Sequence, residues 1–454
     1  MTAHPGDRPA RATHLGPGYR KLWIASTVTN LGDGLSIVAI PWLASAITRD
    51  PLQIALVSLA TRVPWLLFSL PAGVITDRVD RRKLVATMDA LRFAVMLAFA
   101  VAVTAVQGGL ATPQQVEAGT GDLPTHPAPL LALIYAAAFL LGTAEVLRDN
   151  TAQTLLPSVV AKDQLEKANG RMWGAELVAS QFVGPPLAGA LLGLAFAVPF
   201  FVNAGAFAIA AALVFSLAGQ FTPRGQTTSG RIAWRSEIGE GLRWLWHTPL
   251  LRTLAIMLGA ANALSTMAEA VLVLFAQEVL TLDAGRFGLL LTGAAVGGVL
   301  ASLVADRISI RFGSGRVLVL SLVGMGLAQA VIGLSTSGVV VWAVFASVGF
   351  LAVQWNVITV SLRQTITPDH VLGRVNSGYR FFGWGAISLG TALGGAMVTL
   401  GETVVGREWA LRLPFLVGAA LHIAILIYVV PRLTTARIEQ ARAQASNAAG
   451  NVDS

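Results

Sequence analysis

The chain has 454 residues and no cysteine, which excludes disulfides, thiolate metal sites and cysteine nucleophiles. Charge is also scarce. Only 12% of residues are Asp, Glu, Lys or Arg, about half the usual share of a soluble chain, roughly 25%. No stretch is polar for long enough to form a separate soluble domain. The six histidines (His4, His14, His126, His247, His370, His422) are scattered and never form an H-E-x-x-H pair, so no metal site is expected. The dipeptide Gly-Lys is absent, and with it the phosphate loop of an ATP-hydrolysing module; no cofactor is expected. The net charge of +8 does not require a nucleic-acid partner. In a chain this apolar it reads as Lys and Arg gathered on loops at one side of a membrane.

What is present is apolar sequence, 54% of the chain. A helix needs roughly 20 apolar residues to cross a bilayer. Twelve runs qualify, near 23–47, 52–75, 84–106, 130–147, 173–194, 197–218, 253–276, 287–305, 317–334, 338–359, 379–400 and 413–430. With the N-terminus inside, the inner segments hold 26 Lys and Arg, and the outer loops hold four: Arg49, Arg286, Arg407 and Arg412. That asymmetry sets both termini in the cytoplasm. The expected organisation is a disordered cytoplasmic N-tail (1–20), a six-helix bundle (21–218), a cytoplasmic linker (219–252), a second six-helix bundle (253–431) and a cytoplasmic C-tail (432–454). Within the linker, residues 236–247 read as a short amphipathic helix, either resting in the membrane interface or simply joining the halves. The fold class is an all-α membrane protein of twelve transmembrane helices in two pseudo-symmetric bundles.

The halves echo each other. Gly184-Pro185-Pro186-Leu187-Ala188-Gly189 in the fifth helix matches Gly390-Thr391-Ala392-Leu393-Gly394-Gly395 in the eleventh, at an offset of 206. Pro199-Phe200 in the sixth matches Pro414-Phe415 in the twelfth, and Leu165 and Asn169 match Leu372 and Asn376. An even number of helices separates the copies, so the repeat is parallel about an axis along the membrane normal. Transporters are built this way.

Between the second and third helices the chain reads Gly73-Val74-Ile75-Thr76-Asp77-Arg78-Val79-Asp80-Arg81-Arg82-Lys83, and a degraded copy, Asp306-Arg307, follows the eighth helix. The run resembles the loop signature of the major facilitator superfamily, G-x-x-x-D-R-x-G-x-R-R/K, departing from it at Asp80. Gly184, Pro185 and Gly189 resemble the fifth-helix signature of its drug:proton antiporters, with Ala188 in place of one glycine. Pro64 to Phe68, Glu240 to Leu251 and Gly373 to Val375 look like the bacterial branch that holds enterobactin exporters and macrolide-efflux proteins. The resemblance covers roughly 20–430. It implies a monomer in the bacterial cytoplasmic membrane, with lipid, protons and a small drug, macrolide or siderophore as partners. It further implies efflux by alternating access, driven by the proton gradient, and no enzymatic activity. A nutrient importer of the same superfamily, or a membrane sensor or scaffold without transport, are the alternatives.

Charges inside spans are the independent route to a site, because each costs roughly 2.5–3.5 kcal/mol at the bilayer centre unless it faces a cavity or a partner. Asp33 and Arg62 each lie about 15 Å deep by helical rise. They are expected to meet, either exchanging protons or locking two helices. Glu269 is the next coupling candidate, or a vestibule residue. Asp89 and Arg92, three apart, share a helix face and read as a structural pair. Glu145, Arg148 and Asp149 are expected to close the fourth helix and, with Asp77, Arg78, Arg82, Glu176, Asp306 and Arg307, to form a cytoplasmic gate of the kind the resemblance implies. If the first, fourth, seventh and tenth helices line the cavity as in that superfamily, Asn30, Asn262, Gln354, Trp355 and Asn356 are substrate-contact candidates. Trp355 either stacks on a ring or packs against a neighbour.

Overall fold

The computed structural model describes residues 15–76, 78–161, 164–219, 221, 243–367 and 369–450. Asp77 and the amphipathic stretch of the linker up to residue 242 lie outside the described residues. Among the described residues, twelve helices are long and apolar enough to cross a membrane. They are α1 (Gly16–Ile47), α2 (Pro51–Thr76), α3 (Arg81–Val106), α4 (Pro127–Val159), α5 (Lys167–Leu192), α6 (Val198–Phe215), α7 (Pro249–Glu269), α8 (Ala284–Phe312), α9 (Ser314–Leu334), α10 (Gly338–Ile366), α11 (Asp369–Val405) and α12 (Arg407–Val429). A further helix, Thr435–Gly450, follows on the terminus-bearing face.

Local chemistry explains the ends. Pro127 and Pro249 open α4 and α7, where a missing N–H costs nothing. Asp80, the residue at odds with the loop signature, is the N-cap of α3: its carboxylate accepts from the Lys83 N–H at 3.1 Å. Asp283 caps α8 in the same way, accepting from the Arg286 N–H at 2.7 Å. The fifth span is not a plain helix. Pro185 and Pro186 cannot donate to the carbonyls one turn earlier, and residues Val178–Val183 just before them widen into a π turn. The seventh span breaks after Glu269 and resumes as Leu272–Glu278.

Several helices outrun the apolar runs that announce them. α4 continues to Val159, so Glu145, Arg148 and Asp149 sit inside it rather than at its end, as expected from sequence. α11 starts at Asp369, well before its apolar stretch. Polar residues at the terminus-bearing face carry these extensions beyond the hydrocarbon.

The echoed glycines have matched structural roles. At Gly184 an added Cβ would lie 2.6 Å from the Gly34 Cα of α1, and at Gly390 it would lie 2.2 Å from the Ala263 carbonyl oxygen of α7. Gly189 meets the start of α8 (2.4 Å from the Ala284 carbonyl oxygen), and Gly395 meets the start of α2 (2.5 Å from the Ala55 Cβ). Each pair is thus one glycine against the first helix of its own half and one against the second helix of the other half. Small residues at these crossings let the backbones touch. The two bundles meet along α2–α11 and α5–α8.

The face opposite the termini is closed by polar contacts between the bundles. Arg407 donates to Glu278 (2.8 Å) and to the Arg49 carbonyl (2.8 Å), and also pairs with Glu402. Arg49 donates to Gln277 (2.6 Å), whose amide donates to Ser45 (2.8 Å), and Thr399 donates to Asp50 (3.3 Å). These contacts clasp the two bundles together on that face.

Candidate functional site: a charged cavity between the bundles

Two adjoining chambers of about 340 and 360 Å³ lie between the bundles, and both are bordered by Ile37, Pro41, Ser58 and Arg62. The first is walled by Asp33, Trp65, Arg92, Glu145, Phe207 and Trp384. The second is walled by Gln181, Pro185, Thr266, Glu269, Phe287 and Phe345. Two contacts span the bundles at this depth. Trp65 and Trp384 stack with ring centroids 5.0 Å apart and planes 9° from parallel. Arg62 of α2 pairs with Glu269 of α7 at 3.7 Å. Glu269 ends its helix at the break, where the carbonyl end of the helix dipole repels a carboxylate; the facing guanidinium offsets that repulsion.

The expected pairing of Asp33 with Arg62 is corrected. Asp33 forms its ion pair with Arg92, and Arg62 turns to the other bundle. Arg92 is 1% exposed and also lies 4.0 Å over the Phe207 ring. The expected pairing of Asp89 with Arg92 along one helix face is corrected with it. Asp89 is fully buried and pairs with Arg148 of α4 at 3.4 Å. Arg148 also pairs with Asp149 at 2.9 Å and donates to the Ser26 hydroxyl at 3.1 Å. Tertiary pairs across helices win over near neighbours because they bring both charges into one desolvated seam, where an unpaired ion costs most. Glu145 borders the first chamber half-buried, with no ion pair or hydrogen bond to its carboxylate among the described residues. One continuous cluster of α1, α3 and α4 thus holds four carboxyls (Asp33, Asp89, Glu145, Asp149) against two guanidiniums (Arg92, Arg148).

The other predicted residues divide. Gly184, Pro185 and Gly189 form the α1 and α8 crossings, and Pro185 also borders the second chamber. Thr266, one turn beyond Asn262, reaches that chamber, while the Asn262 amide donates to the Gly383 carbonyl of α11 at 3.4 Å. Asn30 is half-buried on α1 outside both chamber walls. The α10 candidates divide as well. Trp355 packs in the apolar core of the second bundle with Leu254, Leu318 and Tyr379; Gln354 is buried; Asn356 is exposed. Phe345 and Val348, two to three turns earlier, supply α10's share of the wall.

Around the loop signature, Gly73 lies in the last turn of α2 and Arg78 is exposed. Arg81 donates to the Thr154 carbonyl at 3.2 Å and Arg82 to the Leu217 carbonyl at 2.7 Å, binding the loop to α4 and to the end of α6. Asp306 and Arg307 are exposed in the last turns of α8, and Glu176 is exposed on α5. Arg148 and Asp149 are drawn into the buried seam, so the described gate candidates do not form one cluster. Sequence reasoning missed Phe207 and Trp384. An aromatic residue facing a cavity looks like one facing lipid in an apolar run, and no signal in the sequence separates them.

Twelve spans in two parallel bundles around a charged mid-depth cavity, clasped at the face opposite the termini, define a membrane transporter of the major facilitator type. The chain belongs to the transmembrane secretion effector family, whose pattern it matches over residues 16–452. It is 30% identical to the multidrug efflux pump Tap of Mycolicibacterium fortuitum over 394 residues, covering 85% of this chain and 90% of that protein. It is 25% identical to the enterobactin exporter EntS of Salmonella choleraesuis, covering 79% and 80%. The fold is also that of solved transporters. A bacterial homologue of the iron transporter ferroportin superposes with a TM-score of 0.69 in its inward-facing state, at 19% identity and with 91% of this chain and 99% of that chain covered. The outward-facing state of a bacterial ferroportin homologue gives 0.55, over 92% and 100% of the two chains. The nucleoside transporter NupG gives 0.67 at 12% identity, over 92% and 99% of the two chains.

Proposed function

We propose that this transporter exports small amphipathic molecules by proton-coupled alternating access, as a monomer in the bacterial cytoplasmic membrane with both termini in the cytoplasm. The observation that carries this reading is the carboxyl-rich cluster of Asp33, Arg92 and Glu145 opening onto the inter-bundle chambers. Protonation of Asp33 releases Arg92, which then turns to Glu145 on the same wall. That exchange couples a proton to the packing of α1 against α3 and α4. Arg62 and Glu269 bridge the bundles beside it, so cargo entering the second chamber competes for the same pair. The aromatic walls suit a cargo with a flat apolar part. Export, rather than import, is supported by relatives named as an efflux pump and an exporter. The 26-to-4 charge asymmetry supports cytoplasmic termini, and residues 219–252 then join the bundles on that side.

The test is flux of a fluorescent amphipathic dye in proteoliposomes with an imposed pH gradient. Gradient-dependent dye movement is expected, and Asp33→Asn is expected to abolish its dependence on the gradient. Unchanged gradient-driven flux in Asp33→Asn would overturn the coupling role. No gradient-dependent flux of any dye by the unmodified protein would overturn proton-coupled export itself.

A further inference from the structure

Away from the central chambers, a groove of about 1000 Å³ lies between α1 and α5 on the terminus-bearing half. Its floor is apolar: Trp23 and Leu31 from α1, Val178 and Val183 from the π turn of α5. Its mouth carries two exposed arginines, Arg20 and Arg171. No carboxylate among the described residues pairs with either of them. The two walls are tied at the mouth by the Trp23 indole N–H, which donates to the Arg171 carbonyl at 3.2 Å. α5 meets α8 from the π turn onward, so the Leu165–Leu177 stretch beside the groove stands clear of the second bundle. The groove therefore opens at the seam between the halves.

The dimensions select an occupant. Arg20 and Arg171 stand within the first turns of their spans, at the level of lipid headgroups, where Arg and Trp concentrate. From Arg20 to Leu31 the helical rise is about 16 Å, and from Arg171 to Val183 about 18 Å. One leaflet of the hydrocarbon core is about 15 Å deep. An apolar trough one leaflet deep, with two unpaired cations at headgroup level, fits one amphiphile of that leaflet carrying negative charge.

We propose that the α1–α5 groove is a binding site for an anionic phospholipid. The phosphate lies between Arg20 and Arg171, and an acyl chain runs along Trp23 and Val178 to Leu31 and Val183. The site is separate from the central chambers, with which it shares no lining residue. Its occupancy does not depend on the coupling mechanism. The lipid fills a seam whose π-turn wall must shift when α5 moves against α8, so binding is expected to differ between the two transport states.

The experiment is native mass spectrometry of the purified full chain titrated with phosphatidylglycerol or phosphatidylcholine of the same acyl chains. The unmodified protein is expected to retain phosphatidylglycerol at least tenfold more tightly than phosphatidylcholine. Arg20→Ala with Arg171→Ala is expected to lower phosphatidylglycerol retention about 25-fold, since each basic residue near an anionic headgroup contributes about fivefold. Arg20→Lys with Arg171→Lys, which keeps both charges, is expected to retain most of the preference. Gly174→Phe, which fills the groove and leaves both arginines, is expected to reduce binding of both lipids. Equal retention of the two lipids by the unmodified protein would overturn the proposal, whatever the variants do. So would full phosphatidylglycerol retention in the double alanine variant.

Discussion

Removing Asp33 is the sharpest perturbation of the cavity, because it takes away the carboxylate with which the buried Arg92 pairs. Arg92 is 1% exposed, and the Asp33 side chain is 30% exposed toward the chamber. Taking one partner from a buried pair typically costs about 3–5 kcal/mol, because the other charge stays behind without compensation. Two features hold the cost near the lower end. The Phe207 ring lies 4.0 Å from the Arg92 guanidinium, a contact worth about 0.5–2 kcal/mol, and Glu145 borders the same chamber. Asp33→Ala should therefore cost about 3 kcal/mol. At about 2–4 °C per kcal/mol for a unit of roughly 200 residues, the melting temperature in detergent should fall by about 6–12 °C. Adding Arg92→Leu removes the stranded charge and replaces it with an apolar group. The double variant should recover to within about 1 kcal/mol of the starting protein, giving a coupling energy of at least about 2 kcal/mol in the cycle. A loss below about 2 °C in Asp33→Ala, or a double variant no more stable than the single, would refute the pairing.

The same double variant separates the two roles open to Asp33. If the pair only locks α1 to α3, the stable double variant transports with its gradient dependence intact. If Asp33 exchanges the proton, the double variant is stable and its flux no longer follows the pH gradient. Stability and flux recover together in the first case and part company in the second. Melting curves and dye flux on one preparation decide between them.

The absence of cysteine makes single-cysteine spin labelling direct, and two of three further predictions use it. Glu269→Gln breaks the 3.7 Å bridge to Arg62. Both side chains are more than a third exposed, so the bridge is worth only about 0.2–1 kcal/mol. The population holding this bridged arrangement should fall by no more than about fivefold, read as label distances between α5 and α8. Arg407→Ala removes the contacts to Glu278, Glu402 and the Arg49 carbonyl; label distances across the opposite face should lengthen, and unchanged distances would show the clasp to be idle. Gly288→Ala places a Cβ 2.3 Å from the Pro185 carbonyl oxygen. It should cost about 1–3 kcal/mol by overpacking, measured as a lower melting temperature, whereas the open position Gly205→Ala should leave it unchanged.

Spans and pairings were not equally legible in the sequence. Membrane spans are one-dimensional features: an apolar run announces itself wherever its neighbours lie. The number of spans could therefore be read directly, and the offset of 206 found contacts that Gly184 and Gly390 make in equivalent places. Ion pairs need a second coordinate, the rotation of each helix about its axis. Depth alone allowed Asp33 to meet Arg62 or Arg92. Counting from the apolar edge near residue 23 also missed that α1 begins at Gly16. The Asp89–Arg148 pair joins α3 to α4 across 59 residues, and no local spacing reports it. Trp355 had two expected roles for a related reason, and it takes the second, packing against its neighbours. Its helix was expected at the cavity, but the face carrying Trp355 turns into the second bundle, and the turns near Phe345 meet the cavity instead.

The halves are alike in backbone and unlike in charge, and that difference bears on how the molecule works. Glycine crossings repeat across the pseudo-symmetry, so each bundle is braced against its own first helix and hinged on the other bundle's second helix in the same way. Such matched hinges let the bundles rock as rigid bodies without favouring either direction. The chamber-facing charges are not matched. Asp33, Arg62, Arg92 and Glu145 come from the first bundle, and only Glu269 comes from the second. A change of protonation in the first bundle therefore alters its own internal packing and, through Arg62, a single bridge to its partner. The second bundle contributes mainly apolar and aromatic wall, including Phe287, Phe345 and Trp384. On the proposed function the coupling chemistry would sit in the first bundle, which the Arg62–Glu269 bridge and the Trp65–Trp384 stack join to the second at mid-depth. Exchanging Arg62 and Glu269 (Arg62→Glu with Glu269→Arg) keeps the bridge but moves the carboxylate into the first bundle. Bundle distances should then stay as they are while the gradient dependence of flux changes. If distances and coupling changed together, the bridge itself and not the placement of charge would set the coupling.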